Sequence, residues 1–490
     1  VKSLTVLLAG GVLFALAATA NSGGYRYGVS DQAFYVPAIA MTLDPALFPR
    51  DAEVLAPQVR MWPGRYLFST AVQAFPLDLP ELFAIAYALT LALLYAAGIQ
   101  LARALGLSPW ATAALLAVFT LRHQITRTGA NSLEGYMHPR MLAFACGLSG
   151  VAWLLRGRLG LAWAAVAATA LVHPTTAIWF GALVAVGTAV APGPASVGTR
   201  VAGAGAAAIA AVLVMVAVMR PDFSVMDSSW REALQEKAYL FPAEWPASAW
   251  LLNLAYPLVI GLIYERRRRI GRALQAEAAL VTGVFALVAA FLVSAALNAA
   301  GITAVTQLQV ARVFWLLDAF AAAYLAWWLV DDVAGRRQTV RVAVVVALAL
   351  VSAGRGAYLM REAGRPLAQV NLPPTDWADA MQWLRARPEP WHVLADPAHG
   401  WIYGSSVRVA AYKDTWLELS KDSAMALYDR RAAMRAAERR AEIPEPWVTE
   451  AAVQALAVKY TLDVFVIDST FAFDRPVLYR NKGFVIYDLR

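Results

Sequence analysis

The chain has 490 residues, 60% of them hydrophobic and 16% charged, with a formal net charge of +8. Soluble domains run at about 45–50% apolar and about 25% charged, which excludes a simple string of soluble domains. The single cysteine, Cys146, excludes an intrachain disulfide, and no spacing in the chain matches a zinc or iron–sulfur site.

From Lys2 to Tyr358 long apolar runs alternate with short polar connections, and after Arg361 the composition turns to that of a soluble domain. The expected organisation is therefore a membrane domain over 1–360 and an α/β domain over 361–490. Lysine and arginine cluster in the connections between apolar runs, where membrane insertion places them, so the net charge does not imply nucleic acid.

The first run, Leu4–Ala20, is long enough to cross the bilayer, for which about 20 apolar residues are needed. Lys2 and Ala18-Thr19-Ala20 at its two ends also suit a cleavable leader, but a retained first span is the expectation adopted. A long connection, 21–80, follows. Further spans are expected at Leu82–Leu101, Trp110–Leu121 and Met141–Leu155.

Leu159–Val190 is too long for one upright span and is interrupted by His173-Pro174. Proline removes a helix donor and restricts the preceding residue, so a hairpin of two short helices is expected there. Spans at Val201–Val218, Trp250–Ile263, Leu280–Leu297, Leu308–Val330 and Val342–Tyr358 complete the set. Placing Arg156 and Arg158, Glu265–Arg269, and Arg336, Arg337 and Arg341 together on the cytoplasmic side requires the hairpin. The expectation is then a polytopic α-helical membrane protein of about eleven transmembrane helices, N-terminus cytoplasmic and C-terminal domain extracytoplasmic.

This threading puts loop 21–80 outside, together with the connections Arg122–His138 and Arg220–Ala249. A connection of about 60 residues is far longer than most, and such loops are usually functional. It reads Gly24-Tyr25-Arg26-Tyr27-Gly28-Val29-Ser30-Asp31-Gln32-Ala33-Phe34-Tyr35-Val36-Pro37, and it also carries Asp44 and Asp51. Asp31 lies about ten residues past the first span, where partial desolvation would raise its basicity towards that of a general base. The alternative is that Asp31 only caps the helix beginning at Gln32.

Arg312, within Gln307–Trp315, is an arginine near the end of an apolar span. Its insertion costs up to about 2.5–3.5 kcal/mol, which a phosphate partner would offset. Snorkelling, or pairing with Asp318, is the structural alternative. Glu134-Gly135-Tyr136-Met137-His138-Pro139-Arg140 and His173-Pro174 bring further polar groups to outer helix ends. His138 and His173 suit proton relay or phosphate contact, and equally suit helix starts.

In the C-terminal segment, a helix is expected from Asp376 to Leu384, short strands at His392–Ala395, Val407–Ala411 and Val464–Ile467, and a charged helix over Ser423–Ala441. It contains no nucleophile elbow, phosphate loop or metal spacing.

An aspartate shortly after the first span, in a long outer loop with amphipathic helices, resembles the GT-C superfamily of membrane glycosyltransferases. The tail segments Leu456–Tyr460, Asp463–Ile467 and Leu478–Tyr487 are similar to the closing strands of outer domains in that class. The resemblance implies a sugar donor linked to polyprenyl phosphate, an envelope glycan, lipid or protein as acceptor, and the outer face of a bacterial cytoplasmic membrane as location. It implies Asp31 as general base, with Arg312, Arg26 and Arg140 as candidates for the donor phosphate. GT-C enzymes often carry two acids in this loop, but here Gln32 follows Asp31. A divalent metal such as Mg or Mn would then need a second acid from Asp44, Asp51 or Glu134. A catalytically silent scaffold and a transporter of lipid-linked substrates are the competing readings.

Overall fold

The computed structural model describes residues 2–191, 196–335, 337–443 and 449–490; Arg336, one of the basic residues used in the threading, lies outside them. Two compact units emerge. The first comprises Val1–Tyr25, Ile85–Val225 and Ala238–Ala368, the second Arg26–Ala84, Met226–Lys237 and Gln369–Arg490.

Among the described residues six helices are long and apolar enough to cross a membrane: Leu4–Asn21, Leu79–Ala104, Ala247–Arg269, Glu277–Ala299, Thr303–Val333 and Gln338–Ala363. Shorter apolar helices, among them Pro109–Phe119 and Pro139–Leu155, accompany them. Several of the long helices leave leucine- and valine-rich surfaces exposed, as at Leu251, Leu262, Val293 and Leu350, whereas Thr303–Val333 is mostly buried. Such wide apolar exposure suits a hydrocarbon solvent rather than water. The protein is a helical, membrane-type polytopic fold.

Within the first unit, Leu159–Val172 and Pro174–Val190 break at His173, whose φ of −155° and ψ of 94° end one helix and begin the next. Pro174 occupies the first turn of the second helix, where its missing N–H costs nothing. The pair packs on Pro139–Leu155 through small residues. A side chain added at Gly147 would collide with Phe180, one at Gly187 with Leu154, and one at Gly150 would crowd the Ala162 carbonyl. Close helix approach through glycine is how helices associate where water supplies no hydrophobic drive.

One basic residue of the Glu265–Arg269 run turns inward. Arg267 is buried, donates to Glu277 at 2.7 Å and to the Leu105 carbonyl at 2.7 Å, and lies over Trp327. Arg266, Arg268 and Arg269 stay exposed.

The second unit is built on a five-stranded sheet. Its strands are β1 (His392–Leu394), β2 (Asp414–Thr415), β3 (Val464–Asp468), β4 (Val477–Arg480) and β5 (Phe484–Asp488). They lie in the order β2-β1-β3-β5-β4. β1 pairs parallel with β2 and β3, whereas β3–β5 and β4–β5 are antiparallel. Both faces are covered: Trp377, Met381 and Leu384 of helix Asp376–Arg385 pack on one, and Val453, Leu456 and Ala457 of helix Glu450–Tyr460 on the other.

Two sequence expectations change here. Val407–Ala410 is a short helix rather than a strand, started by Ser406, whose hydroxyl accepts from the Arg408 N–H. The charged stretch splits into Leu419–Met425 and Arg430–Ala441, the second capped by Asp429.

Segments of the first loop belong to the same unit. Phe34 and Val54 form a buried cluster with Met425, and Ala40, Phe48 and Leu55 form another against Tyr412.

Candidate functional site

Asp31 stands at the N-cap of Gln32–Leu43, yet its side chain makes no cap hydrogen bond. Its carboxylate accepts instead from Lys421 Nζ at 2.8 Å, an ammonium on helix Leu419–Met425. The aspartate is about one-third exposed and the lysine less so, at 16%. The expectation from sequence was an aspartate made more basic by partial desolvation, whereas a cation beside a carboxylate favours its charged form. Lys421 also lies 5.6 Å from the Phe34 ring.

A second ammonium, Lys237, donates to the Ser420 carbonyl at 3.1 Å. Burial and then the charge of Lys421 push the Lys237 amine below its usual range, against the pull of Asp31 and Glu236. Asp31 thus sits in a small, strongly charged cluster inside the second unit.

Gln32, at the position where a second acid was wanting, is fully buried. Its Oε1 accepts from the Gly28 N–H at 2.6 Å, closing the loop on itself. Arg26 is half-buried in the short strand Tyr25–Arg26.

The other acids of the loop have structural partners. Asp44 is exposed, and its Oδ1 accepts from the Ala46 N–H. Asp51 is fully buried, accepting from Arg408 Nε at 2.8 Å, Arg435 at 2.6 Å and the Thr415 N–H at 2.9 Å. Burial alone would push the Asp51 carboxyl up; the two guanidinium groups outweigh it and hold it well below the usual carboxylate range. Next to it, burial and then the Asp51 charge push Asp414 up to about 6. Arg408 continues to Asp422 at 2.6 Å, and Asp422 accepts from the Glu418 N–H at 3.2 Å.

The remaining candidates lie in the first unit. Glu134 and Arg140 are both 3% exposed as side chains and form an ion pair at 2.8 Å, with Arg122 at 3.8 Å from the same carboxylate. Arg140 also lies 5.4 Å from the Trp315 ring. His138 and His173 each cap a helix through Nδ1, on Arg140 N–H and Thr176 N–H respectively, and their rings stand 6.2 Å apart. Arg312 ends the turn Val310–Arg312, ahead of helix Val313–Trp327. Asp318, its alternative partner from the sequence, accepts from the His123 ring at 3.1 Å.

Among the described residues no group of three His, Cys, Asp or Glu side chains is disposed to hold a metal. Of the acids named as completing a metal site, Asp51 and Glu134 spend their oxygens on guanidinium groups.

No protein-family description matches the chain, and no curated protein matches it in sequence. Solved structures do. The mycobacterial arabinofuranosyltransferase AftD is similar in fold, with a TM-score of 0.50 at 13% identity over 99% of this chain and 40% of that one. The Archaeoglobus fulgidus oligosaccharyltransferase in its apo form has a TM-score of 0.49 at 13% identity, over 94% of this chain and 69% of that one. The same archaeal enzyme, AglB, in complex with an inhibitory peptide and a dolichol-phosphate, gives 0.47 at 13%. AftD and AglB are both GT-C glycosyltransferases.

Lys421, Lys237 and the Asp51–Arg408–Asp422 chain escaped the sequence reading. Lys421 is 390 residues from Asp31, and Arg408 is 357 from Asp51.

Proposed function

We propose that this chain transfers a sugar from a polyprenyl-phosphate donor to an acceptor hydroxyl, with Asp31 as the general base. The observation that supports it most is the fold: 99% of the chain aligns with an arabinofuranosyltransferase at a TM-score of 0.50, and Asp31 follows the first apolar helix by ten residues in the sequence. In the step, Asp31 takes the acceptor proton as the acceptor oxygen bonds to the anomeric carbon. The bond from that carbon to the phosphate oxygen breaks, and the polyprenyl phosphate leaves with its charge. Arg312, Arg26 and Arg140 are assigned to that phosphate, whose charge grows in the transition state. Envelope glycans, lipids or proteins are the acceptor classes.

The same reading puts the reaction on the outer face of a bacterial cytoplasmic membrane. It treats the shorter apolar helices as additional crossings, for about eleven in all. Residues 361–490 form the outer domain in this assignment.

A catalytically silent scaffold is the second reading. It is favoured by Gln32, which is committed to the loop, and by the ion pair that occupies Asp31.

The test is transfer by purified, reconstituted protein from a panel of synthetic polyprenyl-phosphoryl pentoses and hexoses. Asp31→Asn should lower turnover by about 10²–10⁴-fold, the usual worth of a positioned base, while Asp44→Asn leaves it unchanged. Wild-type turnover in the Asp31 variant removes the assigned base, and a wild type inert towards the whole panel supports the scaffold.

A further inference from the structure

Asp31 has a resting partner that the proposed reaction does not use. Lys421 Nζ lies 2.8 Å from its Oδ1. That ammonium is not a loose surface group. Asp422, the next residue, accepts from Arg408 at 2.6 Å, and Arg408 is fully buried and joined to Asp51 at 2.8 Å. Asp51 is itself a first-loop residue, anchored again by Arg435 at 2.6 Å and by the Thr415 N–H. The Asp51–Arg408–Asp422 chain therefore ties helix Leu419–Met425 to the segment that carries Asp31. Packing repeats the connection, since Phe34 and Val54 are buried against Met425 of the same helix.

We infer that Lys421 is a positioning residue for Asp31, fixing the direction of its carboxylate and holding it as a weakly basic anion until a hydroxyl displaces the ammonium. The inference rests on the proposed role of Asp31 as base, and it adds the C-terminal segment to the machinery. A carboxylate paired with an ammonium is a poorer base than a free one. Displacement of Lys421 by a bound acceptor would therefore raise the basicity of Asp31 only when there is a proton to take.

Other charged groups lie near the pair. Lys237, after helix Ser228–Ala233, faces Asp31 and Lys421; Glu236 pairs with Arg440 of helix Arg430–Ala441 at 2.8 Å beside it. Lys237 thus supplies the positive charge that remains in the cluster when Lys421 moves off. Because Asp31 and Lys421 are both partly exposed, the pair adds little to overall stability. Its signature is the titration of Asp31, not the melting temperature.

The experiment labels Asp31 in the full-length protein with a water-soluble carbodiimide and glycine ethyl ester across pH 3–7, read by peptide mass spectrometry. The carboxyl proton passes to the carbodiimide nitrogen as the carboxylate oxygen adds to its central carbon, so the labelling midpoint follows the proton on Asp31. Lys421→Met should move the midpoint upward by about one unit or more, and Lys421→Arg should leave it near wild type. If Lys421→Met does not fold, Lys421→Gln, which keeps a donor without the charge, is read in the same way. A midpoint unmoved by loss of the charge overturns the inference, as does one that Arg shifts as far as Met. The readout needs no turnover, so a failure here is separate from a failure of Asp31→Asn to abolish transfer.

Discussion

At the scale of residues, the first loop separates two aspartates that its sequence makes look alike. Asp31 is about one-third exposed beside an ammonium, whereas Asp51 is fully buried between two guanidinium groups. Removing one partner from a buried ion pair is costly because the other charge is stranded, so Asp51 is a structural pin. Asp414 has the opposite character. Its Oδ1 accepts from the Asp51 N–H, its buried Oδ2 makes no hydrogen bond among the described residues, and its titration is pushed up to about 6. A carboxyl raised in the folded state binds protons more tightly than the unfolded chain does. Its stabilising contribution is full below the usual value of 3.8 and is lost as pH rises through about 6. Asp414→Asn cannot lose that contribution. The melting temperature of the variant minus that of wild type should therefore rise by roughly 2–4 °C between pH 5 and pH 8; a difference flat across that range contradicts the assignment. The buried His392, pushed down to about 4, works in the opposite sense, which is why the difference, not either curve alone, is the measure.

At the scale of elements, the helix break at His173 was legible because proline acts locally, through its own ring and its missing N–H. Asp31 was legible by its distance from the first apolar run. What faces Asp31 was not, because nothing local links Lys421 to it. The strand expected over Val407–Ala411 failed for one local and one distant reason. A short apolar run is ambiguous between strand and buried helix, and the Ser406 cap with the inward pull of Arg408 towards Asp51 decides for helix. The hairpin packing also went unread, since glycine in an apolar segment gives no sign of what it meets. Gly147 meets Phe180, which is fully buried and lies edge-on to Phe144. Gly147→Ala should lower stability by about 1–3 kcal/mol, the usual cost of overpacking, seen as a lower melting temperature in detergent. An unchanged melting temperature would mean that Phe180 has room to give.

At the scale of the whole molecule, composition and hydropathy decide the class before any motif does. Apolar helices with exposed leucine faces need a bilayer, and the fold shared with an arabinofuranosyltransferase names the architecture. Fold alone does not carry chemistry, so the proposed sugar transfer is tested by the lipid that the protein retains. The most direct measurement is mass spectrometry of the lipids retained by protein purified gently from its native membrane. A polyprenyl phosphate, free or carrying a sugar, is the expected companion, enriched over its share of the membrane. Bulk phospholipids alone, in membrane proportions, would contradict a polyprenyl-linked donor.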